Sequence, residues 1–208
     1  MKRRHLCAAA AVALLSSATL VRSQQRVNDY FAPNRDNHLL QSNESHHKGK
    51  GIWLLRNGSP GYAKQEFDFI LGIWPNHPEV LALMADTLLL MGKPVLIDPY
   101  FERAYQLTPN VAQLLVVHGA TLLRMNRVDA AIEQLQRGVE LDDDSINGHY
   151  NLGLALVRAK RFDEANRHAQ RAYALGHPLP GLRDQLQKAN AWKPEAAAAP
   201  AEPDKKTQ

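Results

Sequence analysis

The sequence predicts an all-α protein, an α-solenoid of four stacked helix pairs closed by a C-terminal helix. Three observations predict it. Residue types recur at a spacing of 34, so that stretches 44–77, 78–111, 112–145 and 146–179 align without a gap. Within each stretch the apolar residues fall at helical spacings in two runs. Beyond the last stretch, Leu182, Leu186 and Ala189 form one more helical stripe, flanked by Arg183, Asp184, Gln185 and Lys188. Units repeating with such a period stack on their neighbours and build a long surface suited to binding rather than to chemistry.

The aligned columns define each unit. The eighth column reads Gly51, Ala85, Gly119, Gly153, and the twentieth Ala63, Ile97, Ala131, Ala165. Small residues there let paired helices approach closely. The eleventh column is leucine throughout (Leu54, Leu88, Leu122, Leu156), and the twenty-fourth begins Phe67, Phe101, which fill the space that the small residues leave. In the last unit, Leu152, Leu154, Ala155, Leu156 and Val157 make the first helix and Lys160-Arg161 the turn. Phe162, Ala165, Ala169, Ala172 and Leu175 make the second. Pro75 and Pro109 stand just past the second helices of the first two units, where a missing N–H stops the helix. In the second unit, Asp98 is expected to be an N-cap and Pro99 the first helical residue, so its second helix starts late. Lys50 occupies a column that is apolar in the next unit, as suits a terminal repeat facing solvent.

The columns resemble the tetratricopeptide repeat (TPR) family over about two-thirds of the chain. Asp143 and His177 depart from the helix-ending proline in the third and fourth units, although Pro178 follows at once. The resemblance implies a right-handed solenoid of four TPR units (44–77, 78–111, 112–145, 146–179) with a capping helix at 180–193. It also implies that ligands meet the second, fifth, ninth, twelfth and thirteenth columns of the first helices. From these columns the candidate partner groove is Lys48, Ile52, Arg56, Asp86, Gln113, Arg124, Asn147, Tyr150, Leu154 and Arg158. The family's clamp for a chaperone's C-terminal carboxylate is not matched, because Ile52 stands where an asparagine is needed and Gln113 and Val117 replace the later basic residues. The groove that remains is apolar, with Tyr150 as an aromatic anchor and an arginine row at Arg56, Arg124 and Arg158.

Residues 1–23 are expected to be a secretory signal. Lys2, Arg3 and Arg4 precede an uncharged, mostly apolar run from Leu6 through Val21, and Val21-Arg22-Ser23 fits a small-residue cleavage site, with Ala18 as an alternative. The run is shorter than the ~20 residues of a spanning helix, so a retained anchor is the second reading. Four of the 25 Lys and Arg lie in this leader, which has no acidic residue, so the remainder balances the 21 Asp and Glu. The sequence pI of about 9.2 is therefore no sign of nucleic-acid binding. Cys7 is the single cysteine, and the exported chain would have no disulfide, thiolate metal site or thiol nucleophile. Residues 24–43 form a polar segment in which Ala32-Pro33-Asn34 breaks any helix, with helix possible from Asp36 onward. Trp192 is placed to cover the end of the capping helix, and the Ala- and Pro-rich residues 194–208 are expected to be disordered.

No nucleophile motif, phosphate-cradling loop or catalytic carboxylate pair is present, so neither enzyme activity nor a cofactor is expected. Gly58-Ser59-Pro60-Gly61 is explained as a turn. Asp142-Asp143-Asp144 lacks the alternation and glycine of a calcium loop. Among nine histidines, His46 and His47 are adjacent and cannot face one another on a helix, whereas His118 and His149 sit on neighbouring first helices. Two nitrogens alone make an incomplete metal site.

Three functions are compatible with these features. The first is a periplasmic or secreted TPR adaptor that holds a protein segment in its groove during envelope assembly or secretion. That segment would be partly apolar and acidic at one end. The alternatives are a small-ligand or metal-binding periplasmic protein using His118 and His149, and a structural protein that self-associates through its outer face or capping helix. The leader generates one prediction. Protein recovered from a periplasmic extract should begin at or near Gln24 by intact mass, and a mass retaining Met1 to Ser23 would contradict export with cleavage.

Overall fold

The computed structural model describes residues 27–193; the leader and the 194–208 tail, read above as a cleaved signal and a disordered tail, lie outside the described residues. The first helix begins at Asp36, whose carboxylate accepts from the Leu39 N–H at 2.9 Å. It runs as α1 (Asn37–Asn43), a π-helical turn (Glu44–Lys48) and α2 (Gly49–Arg56) without leaving helical dihedrals at the junctions. In the π turn the Ser45 hydroxyl donates to the Gln41 carbonyl at 2.8 Å, and His46 Nδ1 bonds the Ser42 carbonyl at 2.8 Å. These side chains satisfy carbonyls that a widened turn loosens.

The helix pairs follow in order. α3 (Pro60–Ile73) completes the first, and α4 (Pro78–Leu90) with α5 (Asp98–Leu107) makes the second. The third is α6 (Ala112–Arg124) with α7 (Val128–Leu141), and the fourth α8 (Ile146–Arg158) with α9 (Phe162–Ala174). The short α10 (Gly181–Lys188) closes the stack. The described residues form an all-α solenoid of four helix pairs with a C-terminal capping helix, the architecture that the resemblance implied.

One device makes all four intra-pair turns. Gly58, Gly92, Asn126 and Lys160 lie 34 residues apart, and each has a positive φ, between 59° and 70°. The following residue donates its N–H back to the eleventh-column leucine: Ser59 to Leu54, Lys93 to Leu88, Arg127 to Leu122 and Arg161 to Leu156, at 2.8–2.9 Å. This left-handed cap reverses the chain while closing the carbonyls at each helix end.

The second pair departs from the others. After Gly92 the chain makes a 3₁₀ turn at Pro94–Leu96, and α5 begins only at Asp98. Asp98 is not the N-cap as expected. Ile97 precedes the helix in helical conformation, and the Asp98 carboxylate instead accepts from Arg127 at 2.7 and 2.8 Å.

Two apolar clusters run along the stack. One extends from Leu40 to Leu114, the other from Val116 to Leu186, and they meet within α6. Leu182 and Leu186 are fully buried in the second, so α10 seals that end. Trp192 packs against the same cluster and meets Tyr173 edge-on at 6.1 Å. At the other end, Lys50 is exposed and pairs with Glu66. The preceding arm is held to the junction of the first two pairs by the fully buried Asn76. Its Oδ1 accepts from the Tyr30 N–H at 2.9 Å, and its Nδ2 donates to Asp29 and to the Thr108 hydroxyl at 2.6 and 2.9 Å.

The small eighth column is set by close contact, although not with one partner throughout. A Cβ on Gly51 would stand 2.4 Å from the Phe67 ring, and one on Gly119 would stand 2.5 Å from Leu135 and 3.2 Å from the Ala131 carbonyl, both within the pair. On Gly153 it would strike Leu182 of the capping helix at 2.5 Å, so this glycine serves the lid as well as its own pair. Gly119→Val should cost about 1–3 kcal/mol by overpacking the α6–α7 contact. Urea unfolding of the variant with no loss in midpoint would refute that close approach.

Candidate functional site

The inner face is built by α2, α4, α6 and α8, with α6 packed against both α4 and α8. Its clearest concavity is a cleft of about 350 Å³ between α6 and α8. Val116, Val117 and Ala120 supply an apolar floor, and Gln113, Asn147, Asn151, Ser145 and Asp142 a polar wall. Side-chain amides carry both donors and acceptors, so this wall can bond the exposed backbone of a docked segment while the floor takes its apolar side chains. Gln113 and Asn147 were expected here. Asn151, Ser145 and Asp142 were missed because the last two lie in the loop between repeats, and Asn151 lies outside the columns taken as contacts.

The other expected groove residues are placed differently. Lys48 is engaged by two carboxylates, Glu44 at 3.1 Å and Glu79 at 2.8 Å. Glu44 also bonds Nε2 of the fully buried His77 at 3.0 Å, and Tyr30 packs on that ring. Ile52 and Leu154 are half-buried and pack against the two cores, so they form the floor rather than project from it. Arg56 is exposed and has no side-chain partner among the described residues.

The arginine row requires a correction. Arg124 and Arg158 are not a row of free cations along the groove. Arg124 pairs with Asp86 of the preceding repeat, and Arg158 donates to the Leu123 carbonyl at 2.6 Å. Each arginine thus reaches back one repeat and ties adjacent first helices. Tyr150 is also committed: its ring stacks on His177 at 3.7 Å and 10°, beside the start of α10. It is a half-buried strut between α8 and the cap rather than a free anchor.

His118 and His149 belong to separate clusters. His118 bonds the Tyr105 hydroxyl at 2.9 Å and stacks on Phe101, and burial pushes its imidazole down to about 4. His149 lies against His168, Nδ1 to Nδ1 at 2.9 Å, with Nε2 bonded to the Asp143 carbonyl at 2.8 Å. A carbonyl can only accept, so neutral His149 carries its proton on Nε2 and accepts from His168 on Nδ1. Burial, reinforced by the neighbouring His149, pushes His168 down to about 4 as well. Among the described residues no three His, Cys, Asp or Glu side chains converge to hold a metal ion.

A family model described as TPR repeat matches residues 119–159, from the middle of α6 through α8. Among solved structures, one titled as a functional characterisation of Pseudomonas aeruginosa PilF is 21% identical with a TM-score of 0.58. That match covers 72% of this chain and 70% of the other. MamA from Desulfovibrio magneticus RS-1 is 22% identical with a TM-score of 0.53, covering 72% and 86%. YrrB, described as a TPR protein with an unusual peptide-binding site, is 21% identical with a TM-score of 0.50, covering 72% and 77%. At these identities the likeness is one of fold. No curated protein matches the chain.

The buried rings generate a pH prediction. The unfolded chain takes up protons on histidine below about 6.5, whereas His118 and His168 in the folded chain resist protonation until about 4. Stability should therefore fall as pH drops from 6.5 towards 4, by up to about 1.4 kcal/mol per pH unit for His118. Urea midpoints at pH 7 and pH 5 test this. The His118→Leu variant should lose less on acidification than the wild type, and equal losses would place the effect elsewhere.

Proposed function

We propose that this TPR-type solenoid is an exported, periplasmic adaptor that holds a segment of another protein along its inner face, in envelope assembly or secretion. The observation that carries the reading is the α6–α8 cleft, where an apolar floor is walled by amide and hydroxyl groups. That combination suits a peptide backbone with small apolar side chains. It offers no cluster of charge for a compact ionic ligand. The peptide-binding site named for YrrB supports the same use of the fold. The basic–apolar–small order of the leader supports export.

The bound segment is extended or helical and partly apolar. Its acidic end lies towards Arg56, the cation of the thirteenth column that no described residue engages, while Asp86 holds Arg124. Ala120 lines the cleft and is only half-buried. Ala120→Arg should fill the cleft and weaken capture of the partner from a periplasmic extract by roughly tenfold, as expected at the centre of a binding patch. The melting temperature should move by no more than a few degrees, because the new side chain has solvent to enter. Mass spectrometry of the captured material identifies the partner. If the variant captures the same proteins as well as the wild type, this cleft is not the site.

A further inference from the structure

The four intra-pair turns lie along one edge of the solenoid, because every first helix ends there and every second helix begins there. Contacts between repeats join them: Arg127 reaches Asp98 at the start of α5, Arg124 reaches Asp86 in α4, and Arg158 reaches the end of α6. The edge divides into two halves of different character.

The half made by the first two turns is apolar and exposed. Trp53 is 61% exposed, although its column is buried in the other repeats as Thr87, Thr121 and Ala155 at 0–2%. Tyr62, at the start of α3, is 66% exposed. In the second turn the 3₁₀ segment carries Val95 outward to 77% exposure, next to Leu96 and to Leu90 at the end of α4. Nothing in the packing of the second pair requires this. Ile97 alone, at 1% exposure, keeps the buried twentieth-column contact. The third and fourth turns present instead Arg124, Arg127, Arg158, Lys160 and Arg161, and Lys93 adds charge to the apolar half. Asp86, Asp98, Asp129, Asp163 and Glu164 offset part of it, and Lys93, Arg158 and Lys160 have no carboxylate partner among the described residues. The opposite edge carries Glu79 and the exposed Asp142-Asp143-Asp144 run, offset in part by Lys48 and Arg171.

We infer that this turn edge docks on the surface of an anionic phospholipid bilayer. Exposed tryptophan and tyrosine with aliphatic neighbours insert at the headgroup level, where their apolar bodies leave water while the polar tips stay wet. Lysine and arginine beside them pair with lipid phosphates, while the Asp142-Asp143-Asp144 run stands on the far side, away from the same surface charge. An acidic protein surface would satisfy the arginines, but it gives no reason for five exposed apolar side chains spread over two successive turns rather than gathered in a pocket. The docking is peripheral: no described helix is long and apolar enough to cross a membrane. It leaves the inner face free, and it does not depend on what that face binds.

Co-sedimentation of residues 24–208 with vesicles tests the inference. At roughly physiological salt (~0.15 M), the protein should pellet with vesicles containing about a third phosphatidylglycerol, and roughly tenfold less with neutral phosphatidylcholine. Trp53→Ser with Val95→Glu should reduce binding to anionic vesicles roughly tenfold, with circular dichroism confirming an intact fold. Lys93→Glu with Lys160→Glu should do the same, whereas the equal charge change Arg137→Glu with Arg167→Glu, exposed on the second helices, should not. Absence of binding to the anionic vesicles overturns the proposal. So does equal loss from both charge pairs, which would mean attraction to net charge only. Binding unchanged by the apolar pair, or an edge that captures an acidic protein without lipid, overturns it as well.

Discussion

The structure depends on one backbone event repeated four times. At each intra-pair turn a residue enters the left-handed region, and the next N–H returns to the carbonyl of a leucine that packs in the core, fully buried in every pair but the first. The same leucine anchors the core through its side chain and ends the helix through its main chain. Packing and chain reversal are therefore fixed by one residue, and an error in either disturbs both. Glycine fills the left-handed position twice, asparagine once, and lysine in the fourth repeat, where an ordinary side chain accepts a conformation it rarely adopts.

With the turns fixed, the rest is a question of distance. Where two helices must approach closely, a side chain is absent, as at Gly51 and Gly119. Phe67 and Leu135 fill the space that these glycines leave, and with Phe101, Leu88, Leu122 and Leu156 they are fully buried or nearly so. Charge is handled by reaching back one repeat. Arg124 to Asp86, Arg127 to Asp98 and Arg171 to the Asp143-Asp144 pair each stitch neighbouring elements at the rim, where water weakens any one of them. The apolar columns hold the stack together, and these rim contacts add links between its members at the surface.

Much of this was legible in the sequence because a 34-residue period repeats each physical requirement four times. The small and leucine columns, the late start of the second helix in the second pair, the start at Asp36 and the buried stripe of Leu182 and Leu186 are all periodic or locally capped features. What could not be read was set by contacts without a period. Asn76 looks like an ordinary inter-repeat residue until the arm at Asp29 and Tyr30 folds back on it. The arginine row looked free because Asp86 lies 38 positions from Arg124, outside any column they share. Tyr150 looked like an anchor because nothing local shows that His177 will lie on its ring. The groove was located by its columns, but which of its side chains remain available was a matter of tertiary contact.

The seating of the N-terminal arm has a mechanical consequence. The chain enters the described fold beside Ile73, where the Asn28 N–H bonds that residue's carbonyl, and Asn76 grips the next two residues from the boundary between the first and second pairs. A pull applied at the N-terminus would not peel α1 away one turn at a time. It would load several hydrogen bonds together in shear, at a point braced by Thr108 and by the packed His77 ring. The arm therefore acts as a clasp, passing tension past the first helix pair to the body of the solenoid.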